Sequence, residues 1–173
     1  MKIRQTVVED IERILEIFEY GRQVQLATGN LNQWRKGHPG RDLLLKDLAN
    51  GFSYVCVVDE NDETELAIGS IVASFAAIEG EDPTYFELEG GAWLNEAPYV
   101  TVHRISTSGE IQGAGQFCMQ WVIDRYDNVK IDTHALNQPM IHVIEKFNFK
   151  YCGIIYVGDR SPRNAYQYTR LVC

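Results

Sequence analysis

Long apolar runs are missing from this sequence. No stretch approaches the length of a membrane span, so no membrane association is expected. Positive charge is also scarce: Lys and Arg number 16 against 24 Asp and Glu, a formal net charge of −8. The basic residues do not cluster, and neutralising a phosphate backbone needs clustered cations, so nucleic acid is not expected as a partner. Cysteine is limited to Cys56, Cys118, Cys152 and Cys173, with no Cys-x-x-Cys pair. Scattered cysteines in apolar runs read as small buried hydrophobes rather than as a disulfide or metal framework. The histidines, His38, His103, His134 and His142, lack partners at zinc-ligand spacing, so no metal is expected. The N-terminal residues lack the apolar core of a signal peptide, and a cytoplasmic location is expected.

What is present suits one soluble domain over residues 1–173, with 45% hydrophobic and 23% charged residues. Ile3 to Val7 reads as a strand. Thr6-x-x-Glu9 reads as a capping box ahead of Ile11, Ile14, Leu15 and Phe18, whose spacing marks one buried helix face. Residues 21–39 read as irregular, and Arg41 to Asn50 as a second helix stopped by Gly51. Phe52 to Asp59 and Glu65 to Phe75 read as a hairpin, followed by an acidic loop over 76–98. Strand, helix, strand and helix follow over 99–149. Phe149 to Val157 and Ala165 to Val172 then form a closing pair of strands. The order is mixed α/β.

The segment 99–149 carries the chemistry. An apolar strand from Tyr99 to Ile105 feeds a small-residue loop, Gly113-Ala114-Gly115, at the start of an aromatic helix through Trp121. A glycine loop at a helix N-terminus aims backbone N–H groups and the positive end of the helix dipole at one point, which favours a phosphate. A P-loop is excluded, because no Lys-Ser/Thr follows the glycines. A dinucleotide fold is disfavoured by Cys118 at the third glycine position, although Asp132 ends the next strand as a ribose-binding acid would.

With these elements placed, the chain resembles the GNAT superfamily of N-acetyltransferases over nearly its full length. The family's signature, Arg/Gln-x-x-Gly-x-Gly/Ala, falls on Glu110-Ile111-Gln112-Gly113-Ala114-Gly115, and its later Asn on Asn137. The resemblance implies a single-domain fold with a mixed, strongly twisted sheet flanked by helices. Two splayed parallel strands would form an acetyl-CoA cleft. It also implies that Ile105, Ser106 and Thr107 carry the pantetheine arm, and that residues 110–115 with Gln116 hold the pyrophosphate. Three departures stand out. Glu110 replaces Arg or Gln, Asn148 replaces Gly, and Ile144 stands where many relatives place a tyrosine that protonates the leaving thiolate.

The implied reaction moves an acetyl group from acetyl-CoA to a primary amine by direct attack in a ternary complex. The family permits a homodimer. Backbone N–H groups near Ile105 and Ser106 would polarise the thioester carbonyl. Glu87, Glu89 and His103 are the candidate bases. The acidity of loop 76–98 suits a cationic acceptor, a small molecule or a peptide. The competing reading is a non-catalytic acyl-CoA-binding or structural dimer module, which Glu110 and Ile144 keep open.

Overall fold

The computed structural model describes residues 1–170. Residues 171 and 172 of the last expected strand, and Cys173, lie outside the described residues. The strands are β1 (Lys2–Gln5), β2 (Ser53–Val57), β3 (Ile71–Glu79), β4 (Val100–Thr107), β5 (Asn128–Thr133), β6 (Lys150–Tyr156) and β7 (Pro162–Thr169). The helices are α1 (Ile11–Ala27), α2 (Arg41–Ala49), α3 (Ala114–Arg125) and α4 (Gln138–Lys146). One mixed sheet runs in the order β1-β2-β3-β4-β5-β7-β6. Every neighbouring pair is antiparallel except β4 and β5, which the α3 crossover makes parallel.

The β4–β5 pairing is short. Val100, Val102 and the residue between them meet Val129 to Ile131; beyond that point the strands part, β4 running on to Thr107 and β5 to Thr133. A bulge sits at the parting. His103 faces Ala76 and Ser106 faces Ser74, so Arg104 and Ile105 together oppose Phe75. Arg104 has φ of +55°, a left-handed conformation for a non-glycine residue. Bulges of this kind bend a strand and re-aim its side chains, often beside functional sites.

Strand alternation divides the core. On β2, Val55 and Val57 pack with Ile11, Ile14, Ile17 and Phe18 of α1 and Leu44 of α2. Cys56, facing the other way, joins Cys118, Met119 and Val122 of α3 and Ile144 of α4. A smaller cluster of Tyr85, Ile155 and Ala165 lies under the segment 80–99.

Several expected boundaries move. The acidic loop begins at 80, because 76–79 continue β3. The hairpin connection is longer than read, since β3 starts at Ile71. Thr6 does not cap: its hydroxyl pairs with that of Ser53 at 2.7 Å, and the Val7 amide donates to the Asp10 carboxylate at 2.9 Å. The irregular stretch at 21–39 is also shorter, because α1 continues through Gly21 to Ala27. Glycine is tolerated there because β4 crosses close by. A Cβ on Gly21 would lie 2.3 Å from Ser106 Oγ.

The segment 80–99 is a packed cover for the sheet rather than a loose lid. Tyr85 is buried and stacks near Trp93, whose indole N–H donates to the Tyr85 carbonyl at 3.0 Å. Buried Lys130 holds its ammonium 4.1 Å from the Trp93 ring centroid and 3.9 Å from that of Tyr99. Trp93 is therefore core. Among the described residues no helix is long and apolar enough to cross a membrane.

Candidate active site

Two adjoining cavities open where β4 and β5 part. The first, about 150 Å³, is a groove between α1, the end of β4 and the starts of α3 and α4. Ser106, Thr107, Gly115, Pro139 and Val143 line it. The second, about 190 Å³, lies on the far side of the splay and is lined by His103, Arg104, Asp132 and Arg163. Gln25, Trp34, Ile105, Asn137 and Met140 border both, so the two cavities adjoin at the bulged strand.

The groove fits acyl-CoA in its chemistry. Its walls are largely apolar, suited to a pantetheine arm, and its floor is the end of β4. Ser106 turns its hydroxyl away, donating to the Ile17 carbonyl at 3.1 Å, so only its backbone is offered to a ligand. At one end stands the start of α3. Gly113 caps the helix with φ of +85°, and the first-turn amides of an α-helix lack intrahelical acceptors. At Gly115 a Cβ would already touch Thr107 Cγ2 at 3.4 Å, so glycine keeps this end open.

Of the residues read from sequence for the cofactor, Ile105, Ser106, Thr107, Gly115 and Asn137 line the groove. Glu110, Ile111, Gln112, Gly113, Ala114 and Gln116 do not line it. Ile111 and Ala114 pack into the core, and Gln116 accepts from Lys146. The Glu110 carboxylate is paired with Arg13 of α1, which offsets its charge beside the start of α3. Asn137 caps α4 through Oδ1, accepting from the Met140 amide at 3.3 Å, and its Nδ2 donates to Gln33 at 2.9 Å.

Ile144 is fully buried in the core and faces neither cavity. The α4 residues that face the groove, Pro139, Met140 and Val143, carry no acid. Tyr151 packs edge-on to Tyr166, 5.7 Å between centroids, and lines neither cavity.

Among the candidate bases only His103 reaches the second cavity. Its Nε2 lies 2.9 Å from Asp82 Oδ2. Burial raises the Asp82 carboxyl, but hydrogen bonds from His103 and Thr84 outweigh it and bring it down to about 2. A carboxylate only accepts, so Nε2 is the donor and Nδ1 is left to accept. Nδ1 stands 4.0 Å from Asp132 Oδ1, which also accepts from the Tyr85 hydroxyl at 2.8 Å. Burial, with Asp132 beside it, pushes the Tyr85 hydroxyl well up and keeps it a donor.

Glu87 and Glu89 are exposed and lie elsewhere. Glu89 forms an antiparallel bridge with Ile154, and its carboxylate accepts from Tyr156 at 2.7 Å. The expected acidic wall is therefore absent from this cavity. The charged side chains lining it are Arg104, Arg163 and Asp132, beside His38 and His103.

Sequence reading missed Arg104, Arg163 and the far half of α1. Gly21, Val24, Gln25 and Thr28 all face the groove. Their spacing is that of one helix stripe, a signal present in the sequence but hidden by reading Gly21 as a breaker.

No protein-family model and no curated protein matches this chain. Solved structures do. An acetyltransferase of the GNAT family from Streptococcus agalactiae is 28% identical with a TM-score of 0.85, over 99% of this chain and 96% of that one. A ribosomal-protein-alanine N-acetyltransferase from Brucella melitensis is 16% identical, TM-score 0.60, over 98% and 99% of the two chains. A phosphinothricin acetyltransferase from Sinorhizobium meliloti, solved with acetyl-CoA, is 15% identical, TM-score 0.61, over 96% and 86%. Mixed sheet, splayed strands and groove together define an acetyltransferase fold. The chain has the fold of GNAT-family acetyltransferases, 28% identical to one of them over 99% of its length.

Proposed function

We propose that this protein transfers an acetyl group from acetyl-CoA to a primary amine, with direct attack in a ternary complex. The observation that carries this reading is the junction of the two cavities at the β4 bulge. The groove on one side would hold acetyl-CoA through the backbone of Ile105 to Thr107, Gly115, Asn137 and the start of α3. Bound there, acetyl-CoA supplies the acetyl group as an activated thioester. A backbone N–H freed from the ladder at the Arg104–Ile105 bulge would polarise the thioester carbonyl.

On the acceptor side His103 is the base. Asp82 orients its ring and sets the tautomer, so Nδ1 takes the proton from the incoming ammonium. One water or amine nitrogen bridges the spacing between Nδ1 and Asp132. No acid is contributed by α4, and the leaving thiolate takes its proton from solvent. Amine acceptors are the ones named for the Brucella melitensis structure of the same fold.

The test is release of free CoA thiol with a panel of primary amines. His103→Gln should lower kcat by about 100-fold, the lower end of what a positioned base contributes. It should also remove the rising limb of the pH–rate profile, while acetyl-CoA affinity is kept. Glu87→Gln and Glu89→Gln should keep wild-type kinetics. Absence of CoA release with every amine, with acetyl-CoA binding intact, would favour a binding module. Unchanged kinetics of His103→Gln across pH would remove His103 as base.

A further inference from the structure

The second cavity is lined by a charge that the proposed chemistry does not use. Arg163, near the start of β7, is 6% exposed. Its Nη1 donates to Ser161 Oγ and to the Pro162 carbonyl, both at 3.0 Å. Among the described residues it has no carboxylate within ion-pair distance, although the charges of Asp132 and Asp159 act on it from further off. A guanidinium cannot shed its proton in compensation, so burying it unpaired is unfavourable unless a ligand completes it. Sheet register explains its place. Thr133, where β5 ends at the splay, pairs with Asn164, the residue next to Arg163.

A second guanidinium stands in the same cavity. The bulge turns Arg104 toward α2, where its Nη2 lies 2.6 Å from Asp47 Oδ2, while its Nε is buried without a partner. Arg104 is thus ion-paired from behind, and Arg163 has no such pair among the described residues. The field reaches neighbouring histidines. Burial and then the charge of Arg104 push His38 below its ordinary range; burial and then Arg163 do the same to His134. Asp132 faces the same space and makes no ion pair with Arg163, so the cavity presents separated charges of both signs.

Resting on the acetyl-transfer reading above, we infer that the acceptor carries a carboxylate close to its amine, as a free amino acid does. Its carboxylate would be held by Arg163, whose planar fork matches two carboxylate oxygens, with its amine toward His103 and Asp132. One cavity, about 190 Å³, is lined by Arg163, His103 and Asp132 together.

The experiment titrates L-amino acids, their carboxamides and the corresponding decarboxylated amines into CoA-loaded protein by calorimetry. CoA-release kinetics are run on the same panel. At least one acid should bind tenfold or more tightly than its carboxamide and show a matching KM difference. Arg163→Gln should collapse that preference to within threefold, with CoA affinity as the control for folding. Arg163→Lys, which keeps the charge but loses the fork, should restore part of it and carries the test if the Gln variant does not fold. Equal binding of acid and carboxamide, failure of every acid to bind, or an undiminished preference in Arg163→Gln overturns the inference. Acid-selective, Arg163-dependent binding without any CoA release would keep the subsite and overturn only the acetyl-transfer reading.

Discussion

At the scale of single residues, the two glycines of the loop act differently. Gly113 has φ of +85° and open space around it, so its requirement is conformational. Gly115 has ordinary backbone, but a side chain there grows toward Thr107 and into the groove. Gly115→Val should therefore raise the Kd for acetyl-CoA by tenfold or more with little change in stability, measured by calorimetry and thermal melting. Gly113→Val should instead cost about 1–3 kcal/mol of stability through strain. Equal stability losses in both variants would contradict this division. Ile144 is a residue of the opposite kind. It is fully buried, so a tyrosine there would overpack the core, at a cost of about 1–3 kcal/mol, without delivering a hydroxyl to the thioester.

At the scale of elements, the segment 80–99 illustrates how an acidic, glycine-containing stretch becomes structure. It is pinned at Glu89 by the bridge to Ile154, at Leu94 by its amide donating to Gln167, and at Trp93 by the aromatic cluster around Lys130. Gly91 makes the closest approach: a Cβ there would sit 1.9 Å from the Cys152 carbonyl oxygen. No rotamer relieves a clash with backbone, so Gly91→Ala must lift the segment from β6. Urea unfolding should show a loss of about 2 kcal/mol or more, within the range of overpacking. A neutral effect would mean that this segment is not seated on β6.

At the scale of the molecule, polar pairs tie separate elements to the site. Asp82 in the covering segment meets His103 on β4, and Arg13 of α1 meets Glu110 in the loop before α3. The Asp82 carboxyl is lowered to about 2 in the folded state. A carboxylate with a depressed pKa stabilises the fold above its unfolded value, near 4, and loses that contribution as pH falls through the folded value. Asp82→Asn should therefore cost roughly 2 kcal/mol at neutral pH. The gap between variant and wild type should close as pH falls from about 4 to about 2. Denaturation at a series of pH values reads this directly, and a pH-independent gap would deny the linkage.

Much of the fold was legible from local sequence, because period and turn chemistry are local. The 3.6 spacing of Ile11, Ile14 and Phe18 marked α1, Asn137 marked the start of α4, and the helix between two apolar strands implied the parallel pair β4–β5. The glycine loop pointed to the groove for the same reason: glycine is required where backbone must approach a ligand. The acceptor side was not legible. His103 stood out as a strand histidine, but its partners Asp82 and Asp132 come from distant parts of the chain. Arg104 meets Asp47 only because the bulge turns it there, and Arg163 takes its place only because β7 pairs beside the end of β5. Whether a charge is paired, buried or left facing a cavity depends on which strands become neighbours. The sequence by itself determined the fold and pointed to the end of β4 where the groove opens; only the tertiary structure decided which charges line the far side of the splay, because burial and pairing are properties of contacts between distant segments.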